Sequence, residues 1–106
     1  MTEPTIRAAP PLTGKQRRYL RSLGHHLEPV VLVGKGAVTP GVVQALDAAL
    51  TTHELIKVRL GEHAGDDRHA LAEELAAASG AELAGVTGRT VLLYRPRPEE
   101  PTIVLP

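Results

Sequence analysis

The sequence predicts one small α/β domain with the element order α-β-α-β-α-β-β and a mixed four-stranded sheet. Three observations support this fold class. Apolar residues recur at helical spacing in three segments, each preceded by a residue that can cap a helix. Four shorter runs are continuously apolar or alternate between apolar and polar residues, as strands do. The length of 106 residues fits a single domain.

The sequence Thr-Gly-Lys-Gln predicts the start of the first helix. Thr13 stands at the N-cap position and Gln16 follows three residues later, which is a capping-box pattern. The helical spacing ends at Gly24. The run PVVLV at residues 29–33 then predicts a short strand, and its continuous apolar character is typical of strands buried on both faces.

A second helix and a second strand follow. Thr39 is a suitable N-cap, and Pro40 suits the first helical position, where no N–H is needed. The helical spacing continues to about Thr52. The next strand is predicted at residues 54–60, ELIKVRL, in which one face carries Leu55, Lys57 and Arg59 and the well-buried face carries Ile56, Val58 and Leu60.

The third helix spans about Arg68 to Ser79, with Asp66 or Asp67 as its cap and Gly80 as its end. The segment AELAGVTGRTVLLYRP then predicts two strands joined by a tight turn at residues 87–89. Strands joined by helices run parallel, and the closing hairpin adds an antiparallel pair. We therefore expect a largely parallel sheet with one antiparallel end.

The domain organisation follows from the prolines. Residues 1–11 are rich in proline and lack apolar periodicity, which predicts a flexible N-terminal tail. Residues 12–97 form the predicted domain. Residues 98–106 form a Pro-rich C-terminal tail whose apolar residues Ile103, Val104 and Leu105 allow it to dock.

Composition argues against several classes of function. The chain has no cysteine, which removes disulfides, thiolate metal sites and thiol nucleophiles, and its five histidines form no metal-binding spacing. No nucleophile elbow is present, so we expect no enzyme, metal or cofactor. No apolar run approaches a membrane span, and the first residues lack a signal-peptide core. We expect a cytoplasmic protein without a membrane partner.

Charge is unevenly distributed, although twelve basic and twelve acidic residues give a net charge of zero. Residues 13–37 contain five basic residues and one acidic residue, a local charge of +4. Residues 61–87 contain six acidic residues and one arginine, a local charge of −5. This pattern predicts a dipolar surface that can steer a polyanion, or else two ordinary solvated faces.

Two basic features fit phosphate binding. The first helix carries Lys15, Arg17, Arg18 and Arg21 without acidic residues at pairing distance. The loop Gly34-Lys35-Gly36-Ala37 lies just before the second helix, whose N-terminus offers free N–H groups and partial positive charge. Glycines also permit a close backbone approach. The alternative for the loop is a plain turn that requires positive φ.

The chain resembles the CRM-domain family (chloroplast RNA splicing and ribosome maturation), in particular its small bacterial YhbY-type members. The resemblance is carried by LTGKQRRYLRSLGHHLEPVVLVGKGAVTPGVVQALDAAL, HELIKVRL and GVTGRTVLLYRP, and it covers residues 12–106. It implies a fold related to the C-terminal domain of translation initiation factor three. The family's GxxG loop corresponds to Gly34 through Ala37, so its last glycine is replaced by alanine.

The resemblance also implies a function and its partner. The function is binding to large-subunit ribosomal RNA or pre-ribosomal particles, to assist ribosome assembly, and we expect a monomer. The predicted RNA-binding residues are Lys15, Arg17, Arg18, Arg21, Gly34, Lys35, Gly36 and Arg89. With only two tyrosines as aromatics, phosphate and shape recognition should dominate over base stacking. The alternative is a protein-interaction module that uses the acidic third helix or the Pro-rich tail.

Overall fold

The computed structural model describes residues 11–62, 64 and 67–106, and these residues form the predicted small α/β domain in the predicted element order. The helices are α1 (Gly14–Gly24), α2 (Pro40–His53) and α3 (Arg68–Ser79). The strands are β1 (Pro29–Val33), β2 (Leu55–Leu60), β3 (Glu82–Thr87) and β4 (Thr90–Tyr94). The predicted N-terminal tail of residues 1–11 lies outside the described residues except for Pro11.

The helices begin where their capping residues stand. The Thr13 hydroxyl accepts a hydrogen bond from the Gln16 N–H at 3.1 Å, and the Gln16 side chain accepts one from the Thr13 N–H at 3.0 Å. This is the predicted capping box, which satisfies two otherwise unpaired donors. Thr39 and Asp67 cap α2 and α3, each accepting from the backbone N–H three residues further on.

The sheet has the strand order β1-β2-β4-β3. Strands β1 and β2 are parallel, whereas β4 pairs antiparallel with both β2 and β3. The expectation of a largely parallel sheet was therefore wrong, because one strand pair is parallel and two are antiparallel. The crossover through α3 makes β3 run in the same direction as β2. The hairpin, however, places β4 between these two strands, so both of them pair with an antiparallel neighbour.

Helices cover both faces of the sheet. On one face, α2 and α3 pack through a buried cluster that includes Leu46, Leu50, Leu71 and Leu75 against Val33, Ile56, Val58 and Leu93. On the other face, α1 contributes Leu20 to a smaller cluster with Leu55, Ala84, Leu92 and Tyr94. Alternate residues of β2 and β4 thus enter different clusters, as the period of two requires.

Strand β1 is not buried on both faces, which corrects the expectation from its apolar run. Val31 and Val33 enter the core, but Val30 is 50% exposed and Leu32 is 68% exposed. The physical reason is position, because β1 lies at the sheet edge and α1 packs over β2, β3 and β4. An apolar strip therefore remains on the α1 side of β1.

Glu54 is not the first residue of a strand, as its place in ELIKVRL predicted. It caps the C-terminus of α2 with φ of 64°, and its side chain is fully buried. After β4 the chain returns towards α1, where Ile103 and Leu105 pack against the smaller cluster. The Gln16 side-chain amide donates a hydrogen bond to the Pro106 carbonyl at 3.2 Å.

Candidate nucleic-acid interface

The glycine loop joins β1 to α2 through a tight turn. The Ala37 N–H donates to the Gly34 carbonyl at 2.9 Å, and the Thr39 N–H donates to the Ala37 carbonyl at 3.0 Å. Gly36 has φ of 95° and Ala37 has φ of 52°, so two consecutive residues are left-handed. A left-handed alanine costs roughly 1–2 kcal/mol. Ala37, which stands where the family's loop has its last glycine, therefore itself adopts positive φ, as Gly36 does.

The loop lies at the sheet edge where several elements end. The Gly61 N–H, just after β2, donates to the Val33 carbonyl at 2.8 Å, and the Leu60 N–H donates to the Arg89 carbonyl at 2.7 Å. The end of β1, the end of β2 and the β3–β4 turn are therefore neighbours. Lys35 and Arg89 are both exposed at this edge, and the capped N-terminus of α2 begins there as well.

The four cations of α1 point in different directions. Arg21 lies across the sheet, since a Cβ at Gly85 would come within 3.0 Å of the Arg21 Cδ. Arg17 is half-buried and borders, together with Arg21, a hollow that also contains Glu73 of α3 and Glu82 of β3. Lys15 and Arg18 are exposed. Only part of the predicted basic helix therefore faces the sheet.

A second cationic group lies beside Arg21, and the sequence prediction missed it. Lys57 of β2 and His25, which follows α1, line one hollow of about 370 Å³ with Arg21. The hydroxyl-bearing residues Thr87 and Thr90 line the same hollow. This combination of cations and hydroxyl groups suits a phosphate.

Arg59 extends this cationic surface along β2. It is exposed and lies opposite Leu32 of β1 and Thr90 of β4 in the sheet. The signal was present in the alternation of ELIKVRL, which places Lys57 and Arg59 on one strand face. The alternation by itself does not assign that face to a ligand. We call Arg21, Lys57 and Arg59 the sheet cations.

The sheet cations and the loop cation have no carboxylate partner among the described residues. The ion pair found within 4.0 Å in this part of the chain joins Arg95 to Asp47, at 3.0 Å. Arg95 also donates to the Ser79 carbonyl at 2.8 Å and to the Thr51 hydroxyl at 3.1 Å. Arg95 therefore links α2 to the end of α3, whereas the positive charge of the sheet cations remains available.

Glu54 is the buried charged residue of the described chain, and it binds protein groups rather than a ligand. Burial alone would raise the pKa of its carboxyl. Hydrogen bonds from the Thr102 hydroxyl and from the N–H groups of Arg97, Thr102 and Ile103 outweigh burial and lower that pKa to about 2. Burial, followed by the charge of Glu54, raises the pKa of Tyr94.

Over the described ranges, no group of three or more His, Asp or Glu residues could hold a metal ion. None of the helices in the described part of the chain has the length and apolar character needed to cross a bilayer.

Comparison with known proteins gives consistent matches. The family model for the CRS1/YhbY (CRM) domain matches residues 12–95. A probable RNA-binding protein of Pseudomonas aeruginosa is 44% identical over 88 residues, which are 83% of this chain and 85% of that protein. The probable RNA-binding protein YqeI of Bacillus subtilis is 41% identical over 95 residues, which are 90% of this chain and 99% of YqeI.

A solved structure matches the fold as well. The solution structure of a hypothetical protein from Staphylococcus aureus has a TM-score of 0.78 and 42% sequence identity. The match covers 90% of this chain and 99% of that one. Sequence and fold are therefore similar over most of the chain, including the glycine loop, α1 and β2.

Proposed function

Because the chain belongs to the CRS1/YhbY (CRM) domain family, we propose that it binds RNA and assists assembly of the large ribosomal subunit. The names of its relatives in Pseudomonas aeruginosa and Bacillus subtilis support RNA as the ligand. The resemblance to YhbY-type proteins supports the finer assignment to large-subunit precursors. The proposal includes no catalytic step.

One observation carries the proposal for this molecule, namely that the sheet cations beside α1 have no carboxylate partner among the described residues. Two of them, Arg21 and Lys57, line one hollow with His25 and two threonine hydroxyls. Cations without carboxylate partners are free to neutralise phosphates, which supplies most of the affinity in non-specific nucleic-acid binding. A structural ion-pair network would instead have resembled that of Arg95, with its donors occupied.

The glycine loop has a separate role in the proposal. Gly34 has open space where a side chain would begin, so an RNA backbone can approach the chain closely there. Lys35 adds a positive charge at the same edge, and Thr39 holds the N-terminus of α2 in place. The exposed cations Lys15, Arg18 and Arg89 extend the interface, whereas Arg17 contributes less because it is half-buried. Glu73 and Glu82 border the hollow that Arg17 shares with Arg21.

Equilibrium binding of the purified protein to large-subunit ribosomal RNA tests the proposal. Lys57→Gln should lower the affinity about three- to tenfold near 0.1 M salt and reduce the salt slope by about one, the effect of losing one phosphate contact. Thr52→Glu is the matched control, because it makes the same change in net charge on an exposed position near the end of α2. The control should bind as the wild type does.

The charge-reversed double variant Arg18→Glu/Lys35→Glu tests the first helix and the loop together. We expect it to lose more affinity than Lys57→Gln while it keeps the helical circular dichroism of the wild type. Equal weakening by Lys57→Gln and Thr52→Glu would reject a local contact. If every charge variant keeps its association with ribosomal particles and Glu74→Lys loses it, a protein partner at the acidic face of α3 is favoured instead.

A further inference from the structure

The carboxylate of Glu54 holds the segment that follows β4 through four hydrogen bonds. One carboxylate oxygen accepts hydrogen bonds from the Thr102 hydroxyl at 2.6 Å, the Thr102 N–H at 2.8 Å and the Ile103 N–H at 3.1 Å. The other oxygen accepts from the Arg97 N–H at 2.9 Å. The Ile103 side chain packs against the cluster of α1. We call this carboxylate and its adjoining cluster the Glu54 cradle.

The peptide in the cradle has a duplicate elsewhere in the chain. The docked tetrapeptide is Glu-Pro-Thr-Ile at residues 100–103, and the same four residues stand in the same order at residues 3–6. Three of the four hydrogen bonds to Glu54, and the apolar contact, come from the threonine and isoleucine of this tetrapeptide. Residues 3–6 therefore contain the groups that the cradle recognises, apart from the Arg97 N–H.

We propose that the Glu54 cradle is a binding site for a Pro-Thr-Ile peptide, and that residues 3–6 of the same chain are its second occupant. In this exchange Thr5 takes the place of Thr102, and Ile6 takes the place of Ile103. The inference depends on the cradle and the repeated tetrapeptide, and it is independent of the RNA-binding proposal.

The described chain begins close to the cluster that the cradle adjoins. Leu12, near the beginning of the described chain, is buried in the cluster that also receives Ile103 and Leu105. Leu12 follows Ile6 by six positions, a span of roughly 20 Å when extended. Because Leu12 and Ile103 contact the same buried cluster, a linker of this length permits the exchange that we propose.

The contacts outside the tetrapeptide decide which occupant prevails. Three further contacts stabilise residues 100–103 in the cradle: the hydrogen bond from the Arg97 N–H, the packing of Leu105 and the hydrogen bond between Gln16 and Pro106. They are consequently the occupant in the structure. Residues 3–6 bind when those contacts are lost, and the exchange releases the C-terminal segment. Release also opens the groove of about 400 Å³ that Ile103 lines with Leu23, Leu27 and Val30.

Amide hydrogen exchange measured by NMR on the full chain tests the exchange of occupants. Ile103→Asp places a second negative charge beside Glu54 and removes the apolar anchor. We expect the exchange rates of the Thr5 and Ile6 amides to fall at least tenfold in this variant. Adding Ile6→Asp should abolish that protection. Val104→Asp is the matched control, since Val104 is 78% exposed, and it should leave Thr5 and Ile6 unprotected.

A second variant tests the same exchange of occupants without changing Ile103. Thr102→Pro deletes the hydroxyl and the N–H that bind Glu54 but keeps Ile103, and it should protect the same two amides. Unprotected Thr5 and Ile6 amides in both folded variants would overturn the proposal. Protection that appears only at high protein concentration, with a doubled molecular mass, would also overturn it, because the occupant would then come from a second copy.

Discussion

The carboxylate of Glu54 is fully buried, and its backbone has φ of 64°, a conformation that residues with a Cβ seldom adopt. The backbone and the side chain of Glu54 both bind the part of the chain that follows β4. The left-handed turn ends α2 and lets the Glu54 carbonyl accept the Arg95 N–H at 2.8 Å, while the carboxylate turns towards residues 97–103. A single residue thus holds the C-terminal segment beside β2.

From the low pKa of Glu54 we predict how the stability of the folded protein changes in acid. Its folded pKa is about 2 against an ordinary 4.5, so the unfolded chain binds this proton more readily between those values. The stabilisation is therefore complete above about pH 4.5 and is lost as the pH falls towards 2. Glu54→Gln should lower the free energy of unfolding by about 2–4 kcal/mol at pH 7, since it removes charged hydrogen bonds and misplaces a donor.

Urea unfolding of both proteins between pH 7 and pH 2.5 measures this effect. The difference in unfolding free energy should shrink as the pH falls, because protonation removes the same charge from the wild type. The other carboxyl groups are common to both proteins and cancel in the difference. A gap that stays constant across the whole range would show that the charge of Glu54 contributes nothing.

At the scale of elements, helix and strand positions could be predicted because their signals are local. The Thr13–Gln16 capping box and the caps at Thr39 and Asp67 all lie within four residues of the atoms they bind. The exposure of Val30 and Leu32 could not be predicted in the same way. It depends on which strand occupies the sheet edge and on which strands α1 covers, and neither fact is encoded within β1.

The same limit explains the unpredicted part of the candidate interface. The alternation in β2 was enough to place Lys57 and Arg59 on one face, but their proximity to Arg21 depends on how α1 crosses the sheet. The role of Glu54 was hidden for a similar reason, because its partners lie more than forty residues away. Long-range packing therefore decides which cations act together, whereas sequence spacing decides only which face they occupy.

The glycine loop allows conformation and ligand access to be tested separately. Gly36 has φ of 95° and a Cβ there would meet the Thr39 Cγ2 at 3.2 Å, whereas a Cβ at Gly34 would meet nothing within 4 Å. Gly36→Ala should therefore cost about 1–2 kcal/mol of stability. Gly34→Ala should leave stability unchanged or slightly raised, because it reduces the entropy of the unfolded chain.

Thermal unfolding and RNA binding of the two variants distinguish these roles. If the RNA backbone approaches Gly34, then Gly34→Ala should weaken binding several-fold although the protein is as stable as the wild type. Gly36→Ala serves as the comparison, because it perturbs the same turn through its conformation. Unchanged RNA affinity in Gly34→Ala would mean that the open space beside Gly34 is not used.

At the scale of the whole molecule, the charge is neutral in sum but separated in space. The sheet cations and the loop lysine lie on the α1 side and one edge of the sheet. Glu74 is exposed on α3, and Glu73 borders the hollow that Arg17 and Arg21 line. Zero net charge therefore does not weaken the case for a polyanionic ligand, since local potential governs encounter and contact. The acidic helix on the opposite layer favours one orientation of the domain on RNA.

This separation predicts a steep salt dependence for a protein without net charge. If four or five basic groups each neutralise one phosphate, the logarithm of the binding constant should fall against the logarithm of salt concentration with a slope of about −3 to −5. Filter or fluorescence titrations of the wild type between 50 and 300 mM salt would give the slope. A slope near zero would contradict phosphate neutralisation at the sheet cations, because the release of condensed counterions is the physical source of this dependence.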